Sequence, residues 1–260
     1  MIYRRGRKPA VFTRRSVLTA SLMSPIFNAL GAPPEACNDY IGKVKVICPM
    51  YLNNRLGDCV PADTAHTLII RSSNVGAGTA VVATDADVVK LYSAVGGYVP
   101  GNDATDNGCV EEDMESYLRA TGFLGHKADA TASIDPTRQD YLKWGNQLFG
   151  HVRLGWNLPD YAEDQFEARE PWDVQTTGPQ GISGHDTPLV DYRGGMFYVC
   201  TWGRWRQPVT PAFMAKYLEE AHAELFYDWI AAQGVAPSGF SLQALAEKLQ
   251  AIGENEGGRF

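Results

Sequence analysis

No stretch of this 260-residue chain approaches the ~18–20 consecutive apolar residues of a membrane span, so the sequence predicts no membrane-spanning helix. It has no Cys-x-x-Cys pair, which argues against a zinc-ribbon type of site. Its five cysteines (Cys37, Cys48, Cys59, Cys109, Cys200) are an odd number, and a chain this long needs no disulfide framework. Cys37 and Cys48 are the pair that would join in an oxidising compartment; Cys109 and Cys200 read as small buried hydrophobes. His126, His151 and His222 have no ligand spacing, so neither a metal nor a cofactor is expected. There is no internal repeat and no low-complexity tract.

Acid is missing from one place only. Residues 1–15 contain Arg4, Arg5, Arg7, Lys8, Arg14 and Arg15 and no carboxylate, a local charge of +6. The whole chain carries −7, so the other 245 residues hold −13. A basic arm on an acidic body suits docking to an acidic surface, while an acidic main domain argues against nucleic acid as that domain's own partner. Thr13-Arg14-Arg15-Ser16-Val17-Leu18 also has the look of a twin-arginine export signal, although Pro25 and Asn28 interrupt the apolar run behind it.

What is present is ample material for a core: 45% hydrophobic residues, with 10 Phe, 6 Trp and 12 Tyr. Residues 1–36 read as an arm closed by Pro33-Pro34, and 37–260 as one domain. A helical half runs over about 37–148 and a sheet half with C-terminal helices over about 149–260, which makes the class α+β. Val44 to Ile47 is strand-like. Cys59 to Arg71 has helical spacing, with Pro61 in the first turn. Thr84 to Asp87 resembles a capping box, opening a helix that Gly96-Gly97 stops. Another helix follows Gly108, and Asp135-Pro136 opens one that reaches Leu148. His151 to Trp156 alternates like a strand, and 159–182 is a long loop. Two further strands, 185–192 and 196–202, meet at a Gly194-Gly195 hairpin signal. Thr210-Pro211 and Ser241 open the last two helices.

Two of these elements carry chemistry. Gly57-Asp58-Cys59 delivers a cysteine to a helix start, where free N–H groups and the helix dipole favour a thiolate, the nucleophilic form of cysteine. Ser183-Gly184-His185 opens an apolar strand 126 residues after Cys59. A buried cysteine that only packs is the plainer reading of Cys59 by itself, and the downstream histidine turns the balance toward an active-site position.

The blocks Asn53–Leu68, Gly184–Tyr192 and Tyr198–Gly203 resemble the papain-like cysteine peptidases, and with the helices between them the resemblance covers about residues 40–230. The Gly-Asp-Cys helix, Gly-His strand and Thr-Trp-Gly strand look most similar to phage and prophage proteins of that fold. The resemblance implies Cys59 as nucleophile and His185 as general base. Asn53 stands where the family has a glutamine oxyanion donor, and Cys200 where it has the asparagine that orients the histidine. Cysteine cannot take that second role. Asp191 shares a strand face with His185 and is the replacement candidate, although six residues of strand span ~20 Å.

These readings lead to two functional expectations. The leading one is a virion structural protein, decorating or connecting, that docks other virion proteins through its basic arm and is located in the virion; export is the alternative location. An arm of 36 residues needs a partner surface to order it. The other is a cysteine peptidase or amidase acting on a peptide substrate.

Overall fold

A computed structural model of the chain describes residues 3–75, 78–233 and 241–254. The first half supplies α1 (Arg14–Leu30), α2 (Cys59–Asn74), α3 (Asp85–Gly96), α4 (Glu111–Ala120), β1 (Ala128–Ser133) and α5 (Gln139–Phe149). The second supplies β2 (Val152–Pro159), α6 (Tyr161–Glu167), β3 (Ile182–Arg193), β4 (Met196–Thr201), β5 (Arg204–Val209), α7 (Pro211–Tyr217), β6 (Leu218–Phe226), α8 (Tyr227–Gln233) and α9 (Leu242–Glu254). The strands form one antiparallel sheet in the order β1-β6-β2-β3-β4-β5. The α+β class expected from the sequence is the class observed. Among the described residues no helix is long and apolar enough to cross a membrane.

Helix α2 is the axle of the fold. Every residue from Cys59 to Ser73 is buried, because the helix lies across β3 with α3 and α4 beside it. A helix covered on all sides has no polar face to spend on solvent. Its polar residues therefore pair inside. Arg153 of β2, fully buried, reaches the Val60 carbonyl (3.1 Å) and Thr64 Oγ1 (2.8 Å) on α2. It also reaches Glu115 on α4 (3.0 Å), Asp186 on β3 (2.6 Å) and Glu224 on β6 (2.8 Å). One guanidinium thus ties the helical half to the sheet half, as its forked donors allow.

Several local expectations change. The arm contains a helix: Thr13 and Ser16 form a capping box that opens α1, which packs against β1. Val44–Ile47 forms no strand, and Ile47 is exposed. Asp135 caps a turn through the Thr137 N–H, so α5 begins only at Gln139. The long loop holds the short helix α6. The strands β1, β5 and β6 carry no strand pattern in sequence. Ala-rich Ala128–Ser133 and Glu-rich Leu218–Phe226 are poor strand formers, and pairing within the sheet overrides that preference.

Candidate active site

Cys59 is the first residue of α2, delivered by Gly57, as its position after the glycine turn implied. Its sulfur is buried and accepts a hydrogen bond from the Gly6 backbone N–H at 3.4 Å. His185 lies on β3 opposite Trp156, fully buried. Its Nε2 meets Thr201 Oγ1 at 2.8 Å, and the Trp202 ring stacks on it with centroids 4.6 Å apart. Among the described residues Nδ1 has no hydrogen-bond partner. In the tautomer whose Nε2–H donates to Thr201, Nδ1 keeps the lone pair that a base needs.

One piece of chain, the N-terminal arm itself, reaches both the thiol and the backbone next to the imidazole. Gly6 rests on the Cys59 sulfur, and the next residue, Arg7, donates its backbone N–H to the Gly184 carbonyl beside His185 (3.1 Å). The arm is also clamped from the helical half, where Cys109 N–H donates to Gly6 O (2.8 Å) and Lys8 N–H to Cys109 O (2.7 Å). The fit admits no side chain at these points. A Cβ on Gly6 would lie 1.8 Å from the Gly57 oxygen, one on Gly108 1.7 Å from the Gly6 oxygen, and one on Gly184 2.0 Å from the Arg7 oxygen.

Side chains complete the clamp. Tyr3 stacks on Trp202 with centroids 4.5 Å apart. Arg5 is held by Ser183 (2.8 Å), the Leu158 carbonyl (2.9 Å), Asp160 (3.1 Å) and Glu163 (2.7 Å). Arg7 is buried against Glu219, Glu220 and the Trp156 carbonyl, with Glu111 at 3.9 Å. Two of the arm's cations, Arg5 and Arg7, thus meet carboxylates of the same chain.

This occupancy decides the protonation states. Burial pushes the Cys59 thiol well above its ordinary value, and the carboxylates of Asp186 and Asp58 add to the rise; the Gly6 and Asp186 backbones oppose it without winning. The helix tip by itself favours a thiolate, but a covered, desolvated sulfur beside two carboxyl groups stays a thiol. Burial likewise depresses His185 well below its usual value, with Arg5 and Arg7 of the arm adding to it. The resting pair is neutral thiol and neutral imidazole.

The remaining expected site residues fall differently. Asn53 lines with Cys59 a cavity of about 10 Å³, and its amide donates to Asp58 (3.2 Å) and Leu56 (3.4 Å). Asp191 is not at the site. The pairing of β3 shifts register between Leu189 and Asp191, and the carboxylate binds Cys37 Sγ (3.0 Å), Arg193 (2.8 Å) and Arg206 (3.0 Å). The residue on His185 is Thr201, one place after Cys200. The signal lay in the Thr201-Trp202-Gly203 turn, where Trp202 at φ 43° and Gly203 at φ 77° make a tight hairpin. That left-handed tryptophan, a conformation with a cost, puts the indole over the imidazole.

Cys200 faces away from His185 and contacts Cys48, with sulfurs 3.3 Å apart. All five cysteines are free, so the Cys37–Cys48 pairing is replaced by Cys37 with Asp191 and Cys48 with Cys200.

No family model matches the chain, and no curated protein matches it by sequence. Solved structures do. Xylellain, a cysteine protease from Xylella fastidiosa, matches with a TM-score of 0.62 at 11% identity, over 86% of this chain and 96% of that one. A procathepsin B from Trypanosoma congolense matches at 0.54 and 13% identity, over 86% of each chain. Procathepsin L 3 of the Tenebrio molitor larval midgut matches at 0.53 and 12% identity, over 86% of this chain and 75% of that one. With a cysteine at the tip of the central helix and a histidine on the facing sheet, the chain has the papain-like cysteine protease fold.

Proposed function

We propose that the chain is a latent cysteine peptidase or amidase, with Cys59 as nucleophile and His185 as general base, held inactive by residues 3–8 of its own arm. The observation that carries this reading is the arm backbone, which meets the Cys59 sulfur at Gly6 and, at Arg7, the carbonyl of Gly184 next to His185. The arm offers an N–H to the sulfur at Gly6, whereas attack requires a carbonyl carbon. It fills the cleft without being aligned for cleavage.

Once the arm leaves, water reaches the sulfur and the helix tip favours the thiolate. Nδ1 of His185 takes the thiol proton, the sulfur attacks the carbonyl, and the imidazolium returns the proton to the leaving amine. Backbone N–H groups at the start of α2 and the Asn53 amide, released from Asp58 or Leu56, stabilise the oxyanion. The vacated carboxylates, Asp160 with Glu163 and Glu219 with Glu220, favour substrates bearing basic side chains on either side of the small residue over the sulfur.

The virion reading drew on an arm that needed a foreign surface. Arg5 and Arg7 find their acidic partners within the chain, and the matching solved structures are proteases, so the peptidase reading leads. The test is hydrolysis of fluorogenic peptides with Arg or Lys at alternate positions, by a chain lacking residues 1–8. Activity is expected to appear on truncation and vanish in the same chain carrying Cys59→Ala. An inert truncated chain, against basic and neutral peptides alike, would remove the enzymatic reading.

Thr201 is a positioning residue in this scheme, acting through His185. In the truncated chain Thr201→Val is expected to lower kcat by about 10–100-fold through a misaimed imidazole, with KM little changed. Thr201→Ser, which keeps the hydroxyl, is expected to restore most of the rate. Equal losses in both variants would show that the hydroxyl has no part in holding the ring.

A further inference from the structure

We propose that Cys48, His66 and Cys200 form a binding site for a divalent thiophilic cation of the zinc class. The three residues come from separate places: the segment before α2, the middle of α2 and the end of β4. Their spacing of 18 and 134 residues matches no linear metal motif, so only the fold brings them together. Sγ of Cys48 lies 3.3 Å from Sγ of Cys200 and 3.8 Å from Nε2 of His66, and all three atoms fall within 4.8 Å of one another. Metal–sulfur bonds of about 2.3 Å and metal–nitrogen bonds of about 2.0 Å hold neighbouring ligand atoms roughly 3.5–3.8 Å apart at a tetrahedral angle. The side chains need only small adjustments to meet one ion.

Ligand chemistry and charge select the cation. Two thiolates and an imidazole are soft and borderline donors, which disfavour magnesium and calcium. All three residues are buried, and a buried site must be close to neutral. Two thiolates balance a dication. Binding exchanges protons for metal: the thiol protons pass to solvent, the imidazole turns to the tautomer that carries its proton on Nδ1, and Nε2 gives up its 2.8 Å contact with the Pro49 carbonyl.

The surroundings are those of a built site. The His66 ring is fixed by Tyr51 (centroids 5.1 Å apart) and Trp205 (5.6 Å). The Trp205 indole N–H is tied to the Val46 carbonyl (2.8 Å), and Tyr51 sits in a turn with Leu52 where both residues have positive φ. On the other side, His66 and Cys200 line the same 10 Å³ cavity as Cys59, room for about one water. A three-ligand ion there keeps its fourth position open to a single water.

The experiment uses the full-length chain carrying Cys59→Ala, so that the cleft thiol cannot contribute, prepared reduced and without oxygen. Titration with Co²⁺ is expected to give one ion per chain, with a thiolate-to-cobalt charge-transfer band and the visible bands of tetrahedral cobalt. Both are expected to disappear when Cys48→Ser or Cys200→Ser is added. X-ray absorption of the zinc-loaded Cys59→Ala chain needs no further variant; a shell of two sulfurs with nitrogen or oxygen is expected. A shell of nitrogen and oxygen only, which the Glu111, Glu220 and His222 cluster would give, overturns the proposal. So does the absence of stoichiometric metal. If such a metal-free chain forms a Cys48–Cys200 disulfide on exposure to air, the pair is a redox couple and not a metal site.

Discussion

Deletion of residues 1–8 should raise the rate at which iodoacetamide alkylates Cys59 at pH 7 by on the order of 10². In the intact chain burial and the carboxylates of Asp186 and Asp58 keep the thiol protonated, and Gly6 covers it. Its ionisation lies above the ordinary cysteine range, so labelling should stay slow at neutral pH and climb only in alkali. Without the arm, the desolvation is relieved while the helix tip remains. Ionisation then moves down, and labelling should be fast well below pH 8. The sign follows from which form burial penalises: desolvation disfavours the thiolate, and hydration restores it.

Gly6→Val is a second route to the same end. Its side chain cannot fit where a Cβ would already lie 1.8 Å from the Gly57 oxygen, so the arm should lift with its length unchanged. Mass-spectrometric mapping separates Cys59 from the four other buried cysteines. Equal alkylation rates in intact, truncated and Gly6→Val chains would mean that the arm does not control the thiol.

Replacement of Arg153 by Met should cost about 3–5 kcal/mol of folding stability. The guanidinium is fully buried and holds Asp186, Glu115 and Glu224 together, with Asp63 at 3.5 Å. Its removal leaves carboxylates in the interior without their cation. Breaking a buried ion pair from one side costs more than the pair contributes, because the survivors cannot return to water. Arg153→Lys should recover less than half of the loss, since an ammonium cannot reach the acceptors on four separate elements. The check is the urea midpoint at constant slope. A Met variant within 1 kcal/mol of the parent would show that the carboxylates protonate without consequence.

The same substitution bears on the site. Arg153 grips the Val60 carbonyl, one residue from Cys59, and Asp186, one residue from His185. It sets the register between the helix that carries the thiol and the strand that carries the imidazole. Loss of that grip should lower the activity of an arm-free chain even where the fold survives.

The sequence by itself determined what depends on neighbours along the chain. The Gly57 turn put Cys59 at a helix start, the capping box at Thr84 set the start of α3, and the Gly194-Gly195 signal joined two apolar runs into the hairpin that presents His185. Turns, caps and apolar periodicity are local physics, and they marked Cys59, on which the arm rests, and His185, beside whose backbone neighbour it runs. Only the tertiary structure decided what depends on segments far apart. It seated Arg5 and Arg7 of the arm on carboxylates more than a hundred residues away, kept the Cys59 thiol neutral by covering it, and gave His185 to Thr201 and not to Asp191, which lies six residues further along β3. Burial and long-range convergence set those outcomes, because the energy of a charge or a hydrogen bond depends on what the folded chain packs around it, and spacing along the chain does not record that.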